Sequence, residues 1–354
     1  MKGLILSGGR GTRLRPLTYT SAKQLVPVAN KPVLFYGIDA IKDAGIEEIG
    51  IVVGDTKEDI KEAVGDGSRW GVRIRYIEQP EPLGLAHAVL ISEDFLAGEP
   101  FVMYLGDNLI TGGINSFVEE FCRERPNSQV LLARVPNPEQ FGVAELKDGH
   151  VVRLEEKPRF PKSDLALVGV YMFDGTVFEA VKNIRPSWRD ELEITDAIQY
   201  LIDKGFRVSS HIIDGWWKDT GKLEDILEAN RMLLDRLETR LEGEVDAASS
   251  VSFKVVLEKG SKVVGSTIRG PAIIGEGAQI VRSFVGPFTS VGPRVRVEGS
   301  EIQNSIVMEG SSIINISESV TDSLIGRNVE IASSPSRPRA HRFMIGDYSK
   351  VGLL

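Results

Sequence analysis

A repeated aliphatic residue constrains the C-terminal third of this chain more than any other feature. From about Val255 the helix signals stop, and an aliphatic residue recurs every five or six positions, often followed by glycine. The recurring residues are Val263, Ile268, Ile274, Ile280, Val285, Val291, Val297, Ile302, Val307, Ile313, Ile325 and Ile331. A β-sandwich would show an alternation of period two, so this spacing favours hexapeptide repeats that stack short strands into a β-helix with the aliphatic side chains inside. We predict this β-helix over residues 242–354, with a flexible loop at "ASSPSRPRAHR".

The preceding residues, 1–241, have the pattern of an α/β domain. Short apolar strands such as "KGLIL", "EEIGIVVG" and "PFVMYLGD" alternate with segments of helical spacing. This alternation predicts a mainly parallel sheet that is covered on both faces by helices. The segment "GVAELKDGHVVRLEEKP" predicts a hairpin, so we expect the sheet to be mixed. A long amphipathic helix over "LEDILEANRMLLDRLETRL" is predicted to close this domain near Leu241.

Positive charge is concentrated at the start of the chain. The 354 residues carry a formal net charge of −8, yet no acidic residue precedes Asp39. The cations before it are Lys2, Arg10, Arg13, Arg15, Lys23 and Lys31. The acidic total argues against general binding of nucleic acid or membrane surfaces. Because the N-terminal cations surround a turn that follows a buried strand, we expect an anionic ligand there rather than a solvated basic face.

The turn "SGGRGTR" and the strand ends "EQP" and "LGDN" are expected at one edge of the sheet. Ligands of such sheets bind beyond the carboxyl ends of the strands. Gly8, Gly9 and Gly11 would let the backbone approach a phosphate, although a tight connection explains these glycines equally well. Arg13 beside the turn could neutralise charge that develops during phosphoryl transfer. The spacing matches neither a P-loop nor the dinucleotide motif G-x-G-x-x-G.

Several longer motifs together resemble those of a known family. G-G-x-G-T-R-L-x-P, S-x-K-Q-L-x-P-V and K-P are followed in chain order by "EQPEPLGLAHA", "YLGDN", "FGVAEL", "EEKP", "LVGVYMFD" and "WWKDTG". This set resembles the sugar-1-phosphate nucleotidylyltransferase family, and the whole chain is similar to its long members, which carry a left-handed parallel β-helix. The resemblance implies a Rossmann-like catalytic domain that joins dTTP to α-D-glucose 1-phosphate and releases pyrophosphate. The product, dTDP-glucose, would supply deoxysugar biosynthesis.

The resemblance also implies roles for individual residues. Arg13, Lys23 and Lys157 would be catalytic, with Arg13 on the departing phosphates and Lys23 near the α-phosphate. The residues expected to bind the nucleotide are Leu6, Gly8, Gly9, Gly11, Thr12, Arg13, Gln24, Gln79, Pro80, Gly84 and Asp107. Those expected to bind the sugar phosphate are Gly142, Glu156, Lys157, Val168, Gly169 and Tyr171. Asp107 and Asp219 would hold Mg²⁺, a hard cation that prefers oxygen ligands.

Other interpretations of these residues and of the chain are kept as alternatives. Taken singly, Lys23 could be a solvated lysine, Gln79 a surface amide and Asp107 a turn cap. The nucleotide donor could be UTP or GTP. The β-helix could be an acyltransferase, although its only histidine, His341, lies in the irregular segment. The chain could also be a non-catalytic homologue that binds sugar nucleotides.

The remaining expectations concern the surroundings of the protein. The single cysteine, Cys122, excludes an intrachain disulfide, and without a signal-peptide pattern or a long apolar run we expect a cytoplasmic protein. The two substrates are the expected partners, with neither nucleic acid nor a membrane. Because the ends of a repeat stack leave exposed edges that neighbours can cover, we also predict a homo-oligomer assembled through the β-helix.

Overall fold

The computed structural model describes residues 1–333 and 341–353, so residues 334–340 of the predicted loop lie outside the described residues. The chain forms two compact units. The first unit contains Met1–Arg10, Ser21–Leu25 and Val33–Asp219, and the second contains Gly11–Thr20, Val26–Pro32 and Thr220–Leu354. The division into domains of 1–241 and 242–354 stays a prediction.

The elements before the β-helix include the predicted alternation of strands and helices, but a strand at Trp217–Asp219 stands in "GWWKDTGK", which we expected to be a loop. The strands are β1 Lys2–Ser7, β2 Pro27–Val28, β3 Lys31–Pro32, β4 Glu48–Val53, β5 Arg73–Glu78, β6 Phe101–Leu105, β7 Asn108–Ile110, β8 Ser128–Arg134, β9 Gly142–Lys147, β10 His150–Glu156, β11 Leu165–Phe173, β12 Val208–Ile212 and β13 Trp217–Asp219. The helices are α1 Val33–Asp43, α2 Lys57–Val64, α3 Leu85–Ile91, α4 Glu93–Leu96, α5 Asn115–Glu124, α6 Val177–Asn183, α7 Ile194–Asp203 and α8 Leu223–Leu234.

The first unit is built on a nine-stranded mixed sheet. β1 lies between β4 and β6 and runs parallel to both, and β5 continues the parallel part beyond β4. β11 is antiparallel to β6, and β9 and β10 form the predicted hairpin. This arrangement confirms the predicted fold class. Because β1, β4, β5 and β6 are parallel, their carboxyl ends lie at one edge of the sheet, which we call the carboxyl edge.

The continuous apolar run of β1 is explained by burial on both faces of the sheet. Leu4 and Leu6 belong to one buried hydrophobic cluster, whereas Ile5 belongs to the other. Side chains of α3, α6 and α7 complete the first cluster, and those of α1, α2 and α5 complete the second. The strand is therefore fixed in the middle of the sheet, and the residues that follow it emerge at the carboxyl edge.

The second unit contains the predicted β-helix, in which the strands form three parallel sheets. These strands are β14 Arg240–Leu241, β15 Glu244–Val245, β16 Ser250–Ser252, β17 Val255–Leu257, β18 Lys262–Val264, β19 Thr267–Arg269, β20 Ala272–Ile274, β21 Gln279–Val281, β22 Phe284–Val285, β23 Thr289–Val291, β24 Arg296–Glu298, β25 Glu301–Gln303, β26 Ile306–Val307, β27 Ser312–Ile314, β28 Val320–Thr321, β29 Leu324–Ile325 and β30 Glu330–Ala332. The aliphatic column is buried as predicted: Val263, Ile280 and Val297 stand in register and are inaccessible to solvent.

One part of the helix prediction was wrong. The predicted helix over residues 223–241 ends at Leu234, and Arg240–Leu241 already belong to the β-helix as β14, paired with β17. Helical spacing continues through these residues, but pairing with the strand edge of the next coil decides their conformation. Among the described residues, no helix is both long and apolar enough to cross a membrane.

Asn230 on α8 connects three parts of the second unit. This side chain is completely buried. Its Oδ1 accepts hydrogen bonds from the N–H of Ala29, in the β2–β3 hairpin, at 2.9 Å and from the hydroxyl of Ser290 in β23 at 2.6 Å. Its Nδ2 donates to the carbonyl oxygen of Phe288 at 3.1 Å. The N-terminal hairpin, α8 and the β-helix are therefore joined through one amide.

Replacing Asn230 by alanine should lower the free energy of unfolding by about 3 kcal/mol, because three buried polar groups lose their present partner. Urea unfolding followed by circular dichroism measures this loss. Asn183→Ala is the matched control: its exposed amide donates to the Glu179 carbonyl oxygen at 2.8 Å, and its removal should cost less than about 0.5 kcal/mol. Equal stabilities of the two variants would contradict the structural role of Asn230.

Candidate active site

A partly buried ion pair lies at the carboxyl edge of the first unit. Lys23 Nζ donates a hydrogen bond to Asp107 Oδ2, and the two side chains are only 17% and 14% exposed. Burial alone would raise the pKa of Asp107. The charge and hydrogen bond of Lys23, together with a hydrogen bond from Asn108, outweigh burial and hold this pKa below its ordinary value. Asp107 is therefore ionised at neutral pH, and Lys23 is not a solvated surface lysine.

Asn108 links this pair to the strand that carries Asp219. Its Nδ2 donates to Asp107 Oδ1 at 3.0 Å, and its Oδ1 accepts from Trp217 Nε1 at 2.6 Å and from the backbone N–H of Gly169 at 3.3 Å. β7 and β13 are antiparallel, with Asp219 opposite Asn108. The structure thus places Asp219 in the strand paired with β7, and Asp107 directly before β7, although the two residues are distant in sequence.

The donor set at this position suits a hard divalent cation. Asp107 is held in its ionised form, and a second carboxylate residue, Asp219, stands opposite its neighbour Asn108. In the part of the chain that the structure describes, no group of three or more His, Cys, Asp or Glu side chains could hold a metal ion. This is compatible with Mg²⁺, which binds through one or two carboxylates and takes its other oxygens from water and substrate phosphates.

Close backbone approach explains the glycines that follow β1. A Cβ on Gly8 would lie 2.9 Å from Gln79 Oε1, and a Cβ on Gly9 would lie 3.2 Å from Lys23 Cε. Leu6, just before them, is buried in the core. The glycines therefore keep the backbone amides of this turn next to the lysine and to Gln79, in a place that a larger residue would fill.

Two buried polar atoms at the same edge have no hydrogen-bond partner among the described residues. They are Ser7 Oγ, at the end of β1, and Gln24 Oε1, beside Lys23. A Cβ on Gly106 would lie 2.5 Å from Ser7 Oγ and 3.4 Å from Gln24 Cγ, so the three residues are in contact. A buried acceptor or hydroxyl without a partner is costly, and a bound polar ligand is one way to satisfy it.

Gln79 and Gly84, both expected to bind the base, are in direct contact. Gln79 is buried, and its Nε2 donates to the Gly84 carbonyl oxygen at 3.3 Å and lies 3.0 Å from His87 Nδ1. Burial lowers the pKa of His87, against a smaller opposite effect of Glu81, so the neutral ring can accept this hydrogen bond at neutral pH. Pro80 is exposed next to Gln79. His87 thus orients the amide, a contact that the sequence analysis missed.

A second group of charges surrounds Glu156 at the end of β10. Lys157 Nζ lies 3.7 Å from Glu156 Oε1, and Arg189 Nη1 lies 3.6 Å from the same oxygen. Arg189 also contacts Glu191 at 2.9 Å and Glu193 at 3.4 Å. Arg189 was not predicted from the sequence; its side chain is only 25% exposed and contacts three carboxylates. This arginine and Lys157 are the cations of the group.

The other residues expected to bind the sugar phosphate lie on strands next to Glu156. Gly142 begins β9 opposite Glu156, and a Cβ there would lie 2.8 Å from Thr195 Cγ2 and 3.2 Å from Glu156 Oε2. Tyr171 is buried, and burial, together with the charge of Glu156, raises the pKa of its hydroxyl. Val168 is also buried, and its side chain faces the hydrophobic core, so only its backbone is available to a ligand.

Glu156→Gln should raise the melting temperature at neutral pH but not near pH 4. Burial and repulsion from Glu193 raise the pKa of Glu156 above its ordinary 4.5, despite Lys157 and Arg189. The folded state therefore disfavours the ionised form, and this cost appears as the pH rises through the ordinary value and is complete above the raised one. Thermal unfolding between pH 4 and 8 measures the difference.

Glu155→Gln, at an exposed neighbour paired with Arg153 at 3.1 Å, is the control for this pH series. Its melting temperature should follow the parent protein throughout. A Glu156→Gln variant that is less stable than the parent protein at pH 8 would show that Lys157 and Arg189 dominate the environment of Glu156, contrary to the expected sign.

The rest of the glycine-rich motif belongs to the second unit. Gly11 has a φ of +63° and is followed by a 3-10 turn at Thr12–Leu14. The hydroxyl of Thr18 donates to the Gly11 carbonyl oxygen at 2.7 Å, and the N–H of Leu14 donates to the same oxygen at 3.0 Å. Leu14 anchors the turn by burial, whereas Thr12 and Arg13 are exposed. The functions of Gly11, Thr12 and Arg13 rest on the sequence motif.

The fold and these groups define a nucleotidyltransferase. The model of the nucleotidyl transferase family matches residues 2–236, and the chain belongs to this family, as predicted. Over 351 residues the chain is 55% identical to the glucose-1-phosphate thymidylyltransferase of Streptomyces griseus, with 99% of each chain covered. Identity to the Streptomyces antibioticus protein with the same name is 57% over 353 residues, again covering 99% of each.

A solved structure matches about two thirds of the chain. The crystal structure of a Bacillus anthracis protein assigned as a glucose-1-phosphate thymidylyltransferase, in complex with sucrose, matches this chain with a TM-score of 0.62. The sequences are 37% identical, and the match covers 66% of this chain and 94% of the other.

Proposed function

We propose that this protein is a glucose-1-phosphate thymidylyltransferase, which converts dTTP and α-D-glucose 1-phosphate into dTDP-glucose and pyrophosphate. The observation that carries the proposal is the partly buried Lys23–Asp107 pair at the carboxyl edge, joined through Asn108 to the strand of Asp219. The full-length relatives from the two Streptomyces species support the choice of substrates.

In the proposed reaction, a phosphate oxygen of glucose 1-phosphate attacks the α-phosphorus of dTTP directly. The new oxygen–phosphorus bond forms as the bond to the β-phosphate breaks, and pyrophosphate leaves with the bonding electrons. The protein needs no nucleophile of its own; it must hold two anions in line and stabilise the charge that moves onto pyrophosphate. Lys23 is proposed to stabilise the α-phosphate, and Arg13, on the strength of the sequence motif, the departing phosphates.

Mg²⁺ is proposed as the cofactor, held by Asp107 and Asp219. When bound, it would supply positive charge that reduces the repulsion between the two anionic substrates. Lys23 has a related task in the protein alone: its ammonium group balances the charge of Asp107 and keeps this partly buried carboxylate ionised. The loss of activity on removing Mg²⁺ with EDTA, and its recovery on adding Mg²⁺ back, would test this assignment.

The sugar phosphate is proposed to bind at the Glu156 group. Lys157 and Arg189 provide two cations for the phosphate, and Glu156 can accept hydrogen bonds from sugar hydroxyls. Gln79 and Gly84 are proposed to pair with the edge of thymine, because a side-chain amide and a backbone group offer both donors and acceptors.

Pyrophosphate release with Mg²⁺, glucose 1-phosphate and each of dTTP, UTP, GTP, ATP and CTP tests the proposal. We expect strong turnover with dTTP that is lost in an Arg13→Ala, Asp107→Ala double variant. Preference for UTP or GTP would keep the reaction but change the nucleotide. Turnover with none of the five would overturn the proposed function.

Two wider expectations are proposed alongside the reaction. Assembly into a homo-oligomer through the β-helix would be measured by light scattering of the purified protein, and a monomer at all concentrations would contradict it. A cytoplasmic location would be tested by cell fractionation.

A further inference from the structure

The turns at one corner of the β-helix share a backbone conformation. A residue with left-handed φ recurs once per coil, at Gly260, Gly277, Arg294, Gly310 and Asn328, with φ between 55° and 73°. An aliphatic residue stands three positions before and three positions after each of them. In the second of these turns the pair is Ile274 and Ile280, both inaccessible to solvent, and the N–H of Ala278 donates to the Gly275 carbonyl oxygen at 3.1 Å.

The C-terminal residues 344–351 repeat this turn outside the stack. "MIGDYSKV" has the pattern of "LIGRNVEI" at 324–331. Tyr348 takes the left-handed position with a φ of +63°, and the N–H of Ser349 donates to the Gly346 carbonyl oxygen at 3.3 Å. The two aliphatic positions, Ile345 and Val351, are nevertheless 60% and 51% exposed. This C-terminal turn has the local structure of a β-helix coil without its burial.

The C-terminal turn contacts the N-terminal segment Gly11–Thr20 within the second unit. The rings of Tyr348 and Tyr19 lie 6.1 Å apart, and the guanidinium carbon of Arg15 lies 4.7 Å from the Tyr19 ring and 5.9 Å from the Tyr348 ring. Leu17 of the same segment packs beside Gly326, in the last stacked turn, with its Cδ2 3.3 Å from where a Cβ would stand. The segment therefore touches both the last stacked turn and the C-terminal one.

These contacts can restrain the conformation of the 3-10 turn at Thr12–Leu14. The backbone N–H of Arg15 donates to the Thr12 carbonyl oxygen at 3.4 Å, directly after that turn. A guanidinium held over aromatic rings loses much of its freedom, and the backbone next to it is restrained as well. Arg13, the cation of the motif, stands two positions before Arg15.

We propose that the C-terminal turn positions the segment Gly11–Thr20 for triphosphate binding, with Tyr348 as the positioning residue that holds Arg15 together with Tyr19. This inference rests on the proposed function, because it takes Gly11, Thr12 and Arg13 to bind the triphosphate. The C-terminal turn of the same chain packs on the surface of the segment that Arg15 and Tyr19 form. Tyr348 acts on the triphosphate through Arg15 and does not touch it.

Steady-state kinetics of Tyr348→Ala and Tyr348→Phe in the full-length protein test the proposal. Tyr348→Ala should raise the KM for the triphosphate about 3- to 5-fold, the factor expected for one exposed cation–π contact, and leave the KM for the sugar phosphate unchanged. Tyr348→Phe keeps the ring and should restore the parent value. Phe343→Ala is the matched control, because this exposed ring stacks only on His341 among the described residues and should leave both constants unchanged.

A Tyr348→Ala variant with the parent KM for the triphosphate would overturn the proposal, and so would an equal rise in both KM values. The proposal also fails if Tyr348→Phe behaves like Tyr348→Ala, because the effect would then not come from the contact of the aromatic ring with Arg15 and Tyr19. Failure of the proposed function is a different result: the parent protein itself would turn over none of the triphosphates.

Discussion

Asp107→Asn is expected to lower kcat about 1,000-fold in the presence of Mg²⁺ while the protein stays folded. The substitution preserves shape and most hydrogen bonding, but it removes the negative charge opposite Lys23 and one of the two proposed ligands of the metal. Because the pKa of Asp107 is lowered, this carboxylate carries its negative charge at neutral pH in the parent protein. The size of the loss follows from electrostatic stabilisation of the transition state, where one group contributes about 10²–10³-fold or more. Pyrophosphate release at several Mg²⁺ concentrations measures it.

Asp174→Asn is the matched control for this substitution. Asp174 also follows a strand and accepts hydrogen bonds from the Thr176 N–H and from Asn127 Nδ2, each at 2.9 Å. Because β11 is antiparallel to β6, with Phe173 opposite Phe101, Asp174 lies at the edge of the sheet remote from Asp107. Its replacement should lower the melting temperature and leave kcat unchanged. An Asp107→Asn variant that keeps more than a tenth of the parent kcat would refute the proposed role.

Gly169→Ala should lower kcat about 100-fold and reduce stability by about 2 kcal/mol. An added Cβ would lie 2.5 Å from Asn108 Oδ1 and 2.6 Å from its Cγ, so Asn108 would have to move. Asn108 is buried and holds both Asp107 and Trp217, and a shift of its amide disturbs the carboxylate that is proposed to bind Mg²⁺. Kinetics and thermal unfolding of the same preparation measure both effects.

A second substitution distinguishes the steric effect of Gly169→Ala on stability from its effect on kcat. Adding Asn108→Ser to Gly169→Ala makes room for the new methyl group, so the melting temperature should recover in part. Activity should stay low, because the hydrogen bond from Asn108 to Asp107 is gone. Gly175→Ala is the control: its Cβ would lie 3.2 Å from the Gly98 carbonyl oxygen, and only stability should respond. Normal kcat in Gly169→Ala would contradict the arrangement described for Asn108.

The parts of the fold that could be predicted from the sequence are those whose burial follows a short-range pattern of residues. The continuous apolar run of β1 predicted a buried strand, and the aliphatic period predicted a β-helix with these side chains inside. The structure confirms both predictions. The end of α8 was predicted wrongly because Arg240 and Leu241 fit a helix in isolation, and only the edge of β17 makes them a strand. Pairing with a strand that is distant in sequence cannot be predicted from the local sequence around Arg240 and Leu241.

The residues that the sequence analysis missed share a physical reason. Arg189 stands in "RDELE", where one arginine among acids is typical of a solvated charge run, and its contact with Glu156 exists only after folding. His87 lacks the spacing of a metal ligand, and its role in the site depends on a single hydrogen bond with Gln79. The C-terminal turn "MIGDYSKV" did carry a signal, because it matches the repeat, but the preceding residues interrupt the period and hide it.

The position of Asn230 has a consequence for how the protein is made. The hairpin at Val26–Pro32 finds its partners in α8 and the β-helix, which follow it by about two hundred residues. On the ribosome, this hairpin emerges before its partners, so these contacts form only after the residues up to Ser290 have been synthesised. A chain released early by a premature stop codon lacks the other half of that unit. Synthesis through Ser290 is thus a condition for these contacts of the hairpin, and a chain terminated before that residue would leave the hairpin without them.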